Sequence, residues 1–163
     1  MKILIVQENG RHDANREYRE CFSFQRAFNK LRVNDVTVWG LGHDNYKSKP
    51  DYNSFDLIIN LENYDETGWL SEAQEQIAKS DAFKMLWSID AHCRGEELYE
   101  KYFEEGKYNI LLHSTKDFVK KSHHRWLPNC FDDTLVRNLW REKKYFLGFC
   151  GNESPARIPI LKA

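Results

Sequence analysis

Three short stretches of this chain bring together residue types that do chemistry. Trp87-Ser88-Ile89-Asp90-Ala91-His92 sets a carboxylate and an imidazole two positions apart. On an extended segment such a pair faces one side, and an acid near a histidine is a usual general-base arrangement. The bland reading makes Asp90 the cap of the next turn and His92 a solvated loop residue. Gln7-Glu8-Asn9-Gly10 and His113-Ser114-Thr115 each close an apolar run. Polar residues in that position lie where open α/β sheets bind ligands, at the carboxyl ends of strands. Gly10 serves a turn equally well, and Ser114 or Thr115 is read as the cap of a helix starting near Asp117.

Other motifs are incomplete. Gly40-x-Gly42 runs into His43-Asp44 with no third glycine, which supports a dinucleotide site poorly. There is no H-E-x-x-H, no phosphate-binding P-loop and no G-x-S-x-G, so the common hydrolase and nucleotide signatures are missing. No Asp-x-Asp occurs either, which removes the usual carboxylate pair of metal-dependent sugar transferases, and no metal is expected. Cys21, Cys93, Cys130 and Cys150 are far apart and form no C-x-x-C, so they read as reduced thiols. Lys120, Lys121, His123, His124 and Arg125 form a basic cluster without interleaved aromatics. That pattern reads as a solvated face rather than a nucleic-acid footprint.

These residues need a scaffold, and the apolar runs provide one. Strands are expected at residues 2–6, 36–41, 56–61, 84–89, 108–112, 125–127 and 145–150. Their apolarity is continuous rather than alternating, as in parallel sheets covered on both faces. Between the first two strands, Tyr18, Cys21, Phe24, Phe28 and Leu31 fall within an arc of roughly 140° on a helix. Ser71 with Gln74 looks like a capping box. Residues 95–106 read as a charged helix ended by Gly106, and residues 115–122 as a short further helix. Residues 42–54 read as an irregular polar loop. Alternating strands and helices give right-handed β-α-β units, hence an α/β, Rossmann-like open parallel sheet with helices on both faces.

The chain has 163 residues, 41% of them apolar and 14% aromatic, enough for one sizeable core despite a mean hydropathy of −0.72. A formal net charge of −1 offers no global attraction to nucleic acid or anionic lipid. The N-terminal apolar run is too short for a signal peptide or a membrane span, and a cytoplasmic protein is expected.

Three stretches carry a family resemblance: residues 84–92, then Trp126-Leu-Pro-Asn129-Cys-Phe-Asp132, then Phe146-Leu-Gly-Phe-Cys-Gly151-Asn152 with Arg157 and Leu161 beyond. In this order and spacing the chain resembles GT-B glycosyltransferases of the bacterial spore-maturation group. The resemblance implies that residues 1–131 are one half of a GT-B fold, the acceptor-side domain, that 132–144 are a linker, and that 145–163 begin a second, nucleotide-sugar domain. It implies acceptor contacts at Glu8, Asn9, Gly10 and His113, catalysis at Asp90 and His92, and donor contacts at Gly151, Asn152 and Arg157. The implied partners are a nucleotide sugar, an acceptor and the rest of the C-terminal domain, with no other cofactor. The rival readings are a signalling receiver or another non-catalytic α/β binding module.

Overall fold

The computed structural model describes residues 1–10, 13–33, 35–63, 67–129 and 132. The chain divides into two units, Met1–Phe131 and Asp132–Ala163. The expected strand at 145–150 and the expected donor residues Gly151, Asn152 and Arg157 lie outside the described residues.

Six parallel strands form one sheet: β1 Ile3–Val6, β2 Val36–Trp39, β3 Leu57–Asn60, β4 Phe83–Ser88, β5 Ile110–His113 and β6 His124–Trp126, in the order β2-β1-β3-β4-β5-β6. The register runs evenly along it, with Ile5 opposite Val38 and Ile59, Ile59 opposite Met85, and Leu86 opposite Leu111. The helices are α1 Glu20–Lys30, α2 Trp69–Lys79, α3 Ala91–Arg94 and α4 Glu96–Glu105.

Alternate strand residues feed two cores, because successive side chains point to opposite faces. Leu4, Val6, Ile58, Leu86 and Leu111 pack with Leu70, Ile77 and Tyr99 of α2 and α4. Ile3, Ile5, Ile59 and Trp87 pack with Cys21, Phe24 and Phe28 of α1. The sheet is therefore covered on both faces, and its central strands are largely apolar, with Lys84, Asn60 and Ser88 the exceptions.

Some local expectations require correction. Cys21 is fully buried, but Tyr18 is 62% and Leu31 73% exposed, because α1 is shorter than the apolar arc: Tyr18 belongs to a preceding 3₁₀ turn and Leu31 is the C-cap. Ser71 caps nothing. The helix starts two residues earlier at Trp69, after Gly68 in the left-handed conformation at φ 77°, since Trp69 and Leu70 both sink into the core. Residues 115–122 make only a 3₁₀ turn, Lys116–Phe118. The β5–β6 crossover is too short for a full helix, which ordinarily takes a dozen residues or more.

Candidate active site at the carboxyl edge of the sheet

All the strands end on one edge, and the segments that leave β1, β3, β4 and β5 carry Glu8–Gly10, Glu62–Asn63, Asp90–His92 and Ser114–Thr115. The chain goes from β1 outward to β2 and returns across β1 to β3. In open α/β sheets ligands enter at such a reversal, at the carboxyl ends of the two strands flanking it, here β1 and β3.

The two exits are tied together by side-chain hydrogen bonds. Asn63 Oδ1 accepts the Glu8 amide at 2.6 Å, and its Nδ2 donates to Asn60 Oδ1 at 2.6 Å and to the Leu61 carbonyl at 2.9 Å. Asn60 in turn donates to the Tyr108 hydroxyl at 2.7 Å. Gln7, fully buried, accepts the Cys21 amide at 2.8 Å and donates to Glu20 Oε2 at 2.8 Å. It thereby satisfies one of the open N–H groups at the start of α1, whose own cap residue, Arg19, makes no side-chain cap bond.

Glu62 is the hub. It is 5% exposed and accepts the Ile89 amide at 2.8 Å and the Asp90 amide at 3.3 Å through Oε2. Its other oxygen takes the Arg94 guanidinium and the Tyr99 hydroxyl. Arg94 also donates to the Asn63 carbonyl at 2.7 Å. Burial alone would lower the Arg94 pKa, but the bond to Glu62, with the charge of Glu62 and the nearby Tyr99 and Tyr102, together outweigh it and the net shift is upward. Burial, reinforced by the neighbouring carboxylate, raises the Tyr99 hydroxyl well above its ordinary range. The turn after β4 is thus held by a buried ion pair. The one legible signal for Glu62 was an acidic residue two positions past the end of a buried strand.

The β1 exit is walled by backbone. Gln7 and Asn9 donate to the carbonyls of Trp39 and Leu41 at 3.0 and 2.7 Å. A Cβ on Gly42, at φ 86°, would stand 1.7 Å from the Asn9 carbonyl oxygen, and one on Gly40 2.2 Å from that of Gln7. The Gly40-x-Gly42 pair serves this close crossing. His43 reaches over it to the Gln7 carbonyl at 2.9 Å. Burial lowers its pKa more than that hydrogen bond raises it.

The expected site residues fall into three groups. Glu8 is buried, while Asn9 and Gly10 are half-buried beside it; Asn9 Oδ1 accepts the Gly10 amide at 2.8 Å. Asp90 is half-buried at the N-cap of α3, where its carbonyl accepts the amides of Cys93 and Arg94 at 2.9 Å each. The expectation of an extended Asp90–His92 segment is corrected: Ala91–Arg94 is a helical turn, and two positions on a helix are about 200° apart. His92 is exposed. His113 is 1% exposed, with neither ring nitrogen hydrogen-bonded, packed against His124 and Phe118 at ring separations of 4.6 and 6.1 Å. Burial and the adjacent His124 push its pKa down to about 4. It is a neutral core residue, closed off from an acceptor arriving from solvent.

The basic cluster divides. Lys120, Lys121 and Arg125 are exposed, as a solvated face requires, but His124 is buried and His123 half-buried, both turned onto Glu100 of α4. Of the free thiols among the described residues, Cys21 is buried, its pKa pushed up to about 12 by burial, and Cys93 is exposed. Among the described residues no helix is long and apolar enough to cross a membrane. No family model matches the chain, and neither the curated proteins nor the solved structures hold a match to it.

Proposed function

We propose that the chain is the acceptor-side part of a nucleotide-sugar glycosyltransferase, transferring a glycosyl group to an acceptor hydroxyl. The observation that carries the reading is Asp90, half-buried at the carboxyl edge on a turn fixed by Glu62. A carboxylate held in place beside a crevice is suited to orient an acceptor hydroxyl, and in an inverting reaction to take its proton as the bond to the sugar forms. Exposed His92 is placed to contact the acceptor as it enters. Glu8, Asn9 and Gly10 form the other wall. In this reading Gly151, Asn152 and Arg157 serve the donor diphosphate, and the reaction runs in the cytoplasm, in keeping with unpaired thiols.

The strand order favours one rival, because 2-1-3-4-5 is also the order of flavodoxin-like and receiver domains. Against a receiver, the end of β3 carries buried Asn60, bonded to Tyr108 and Asn63, in place of a phosphoacceptor aspartate.

The test measures nucleoside diphosphate released from a panel of nucleotide sugars by the full-length protein. Asp90→Asn is expected to slow release about 10²- to 10⁴-fold, the usual cost of a lost general base, without loss of fold. Near-wild-type rates in both Asp90→Asn and His92→Ala, or no release from any donor, would sink the reading. Labelling by acetyl phosphate with Mg²⁺ would favour the receiver.

A further inference from the structure

Away from the carboxyl edge, on the face of the sheet that α4 covers, Glu100, His123 and His124 bring one carboxylate and two imidazoles together, with their ligand atoms all within 4.8 Å of one another. Glu100 Oε2 is 3.3 Å from His123 Nε2, and Glu100 Oε1 is 2.7 Å from His124 Nε2. Nitrogen and oxygen ligands about 2.0–2.1 Å from a tetrahedral ion lie roughly 3.3 Å apart. The three side chains therefore stand close to the spacing that such an ion requires.

The surroundings hold the imidazoles as ligands are held. His124 Nδ1 lies 2.9 Å from the Phe118 carbonyl. In the ion-free chain a proton between Nε2 and Glu100 makes their 2.7 Å contact; an ion displaces that proton and takes Nε2 as its ligand, while the Phe118 carbonyl can hold a proton on Nδ1 as the outer partner of a metal-bound histidine does. His123 is fixed separately, stacked on Phe103 at 4.2 Å with the rings 17° apart. One group competes: Lys121 Nζ lies 2.9 Å from Glu100, on a side chain 53% exposed that can swing into solvent.

We propose that Glu100, His123 and His124 form a binding site for a divalent ion of the zinc class, with water completing the coordination. Two imidazoles and a carboxylate suit zinc and its late first-row neighbours far better than magnesium or calcium, which prefer all-oxygen shells. The ion clamps β6, a three-residue strand at the edge of the sheet, to α4. The site stands apart from the glycosyl-transfer reading and does not depend on it.

The experiment titrates the untagged full chain, stripped with chelator, with Zn²⁺ alone by calorimetry, and with Co²⁺ as a spectroscopic probe. One saturating equivalent of Zn²⁺ is expected, together with a higher Tm. The Co²⁺ spectrum should show nitrogen and oxygen ligation without thiolate charge-transfer bands. Glu100→Gln and His123→Ala, both at half-buried positions, should keep the circular dichroism of the parent. Each should weaken Zn²⁺ by at least the roughly 10- to 100-fold that losing even an outer-shell partner costs. Lys121→Ala should tighten it. The absence of saturable binding, equal affinity in both ligand variants, or thiolate bands that place the ion on cysteine would each overturn the site.

Discussion

Replacing Glu62 by glutamine tests whether the carboxyl edge is held as described. The substitution keeps size and shape and removes one charge. Glu62 accepts four hydrogen bonds, from Ile89, Asp90, Arg94 and Tyr99, and a glutamine oxygen can keep only the pair on one side. If it keeps the amides of Ile89 and Asp90, the new NH₂ faces a guanidinium and a hydroxyl. Breaking a buried ion pair from one side costs about 3–5 kcal/mol. Arg94 keeps its bond to the Asn63 carbonyl, and its side chain is 17% exposed, which places the expected loss near the bottom of that range, about 3 kcal/mol. For a domain of this size that lowers Tm by roughly 10 °C. Urea unfolding followed by tryptophan fluorescence measures it. A loss below about 1 kcal/mol would show that the carboxylate contributes no more than an ordinary surface pair and would refute the argument. The cycle with Arg94→Met should return a coupling of at least about 1 kcal/mol, as contacting residues do.

Further outcomes follow from other parts of the fold. Gly42→Ala should cost at least about 2 kcal/mol in urea unfolding, since it adds a backbone clash to the strain of a positive φ. Gly68→Ala, at φ 77° with nothing within 4 Å of the new Cβ, should cost only about 1 kcal/mol of strain. Because burial lowers the His43 pKa, the unfolded chain takes up a proton there first as pH falls. Its contribution to stability is complete above the unfolded value of about 6.5 and is lost as pH falls through the lower folded value. His43→Gln should flatten that part of the decline in a pH series of Tm, and an unchanged slope would assign the decline to other groups. In the full-length protein, Arg157→Ala should weaken nucleotide binding by calorimetry while leaving acceptor binding intact; equal affinity would remove Arg157 from the donor site.

The strands were legible because both faces of the sheet are covered, which makes residues 57–60 a continuous apolar run ending in one asparagine. The helix ends were less so. The arc through Tyr18 and Leu31 continues the α1 pattern beyond the point where the backbone stops being helical. The connections at the carboxyl edge were the least legible, because their partners are remote in sequence. Glu62 meets Arg94 and Tyr99 across 32 and 37 positions, and no local pattern announces that pairing. His124 meets Glu100 across 24 positions. In a run of lysines and histidines that looks solvated in one dimension, the histidines pack once α4 lies against them, while Lys120 and Lys121 stay exposed.

The crossing of the β1 and β2 exits bears on how this protein can vary. One wall of the crevice there is main chain, closed by two glycines that leave no room for a side chain. Substitution cannot easily reshape that wall, so its hydrogen-bonding pattern is fixed for any molecule that enters. Variation in what meets that edge has to come from side chains that stand exposed on other segments, His92 of α3 among them, which can change without disturbing the core.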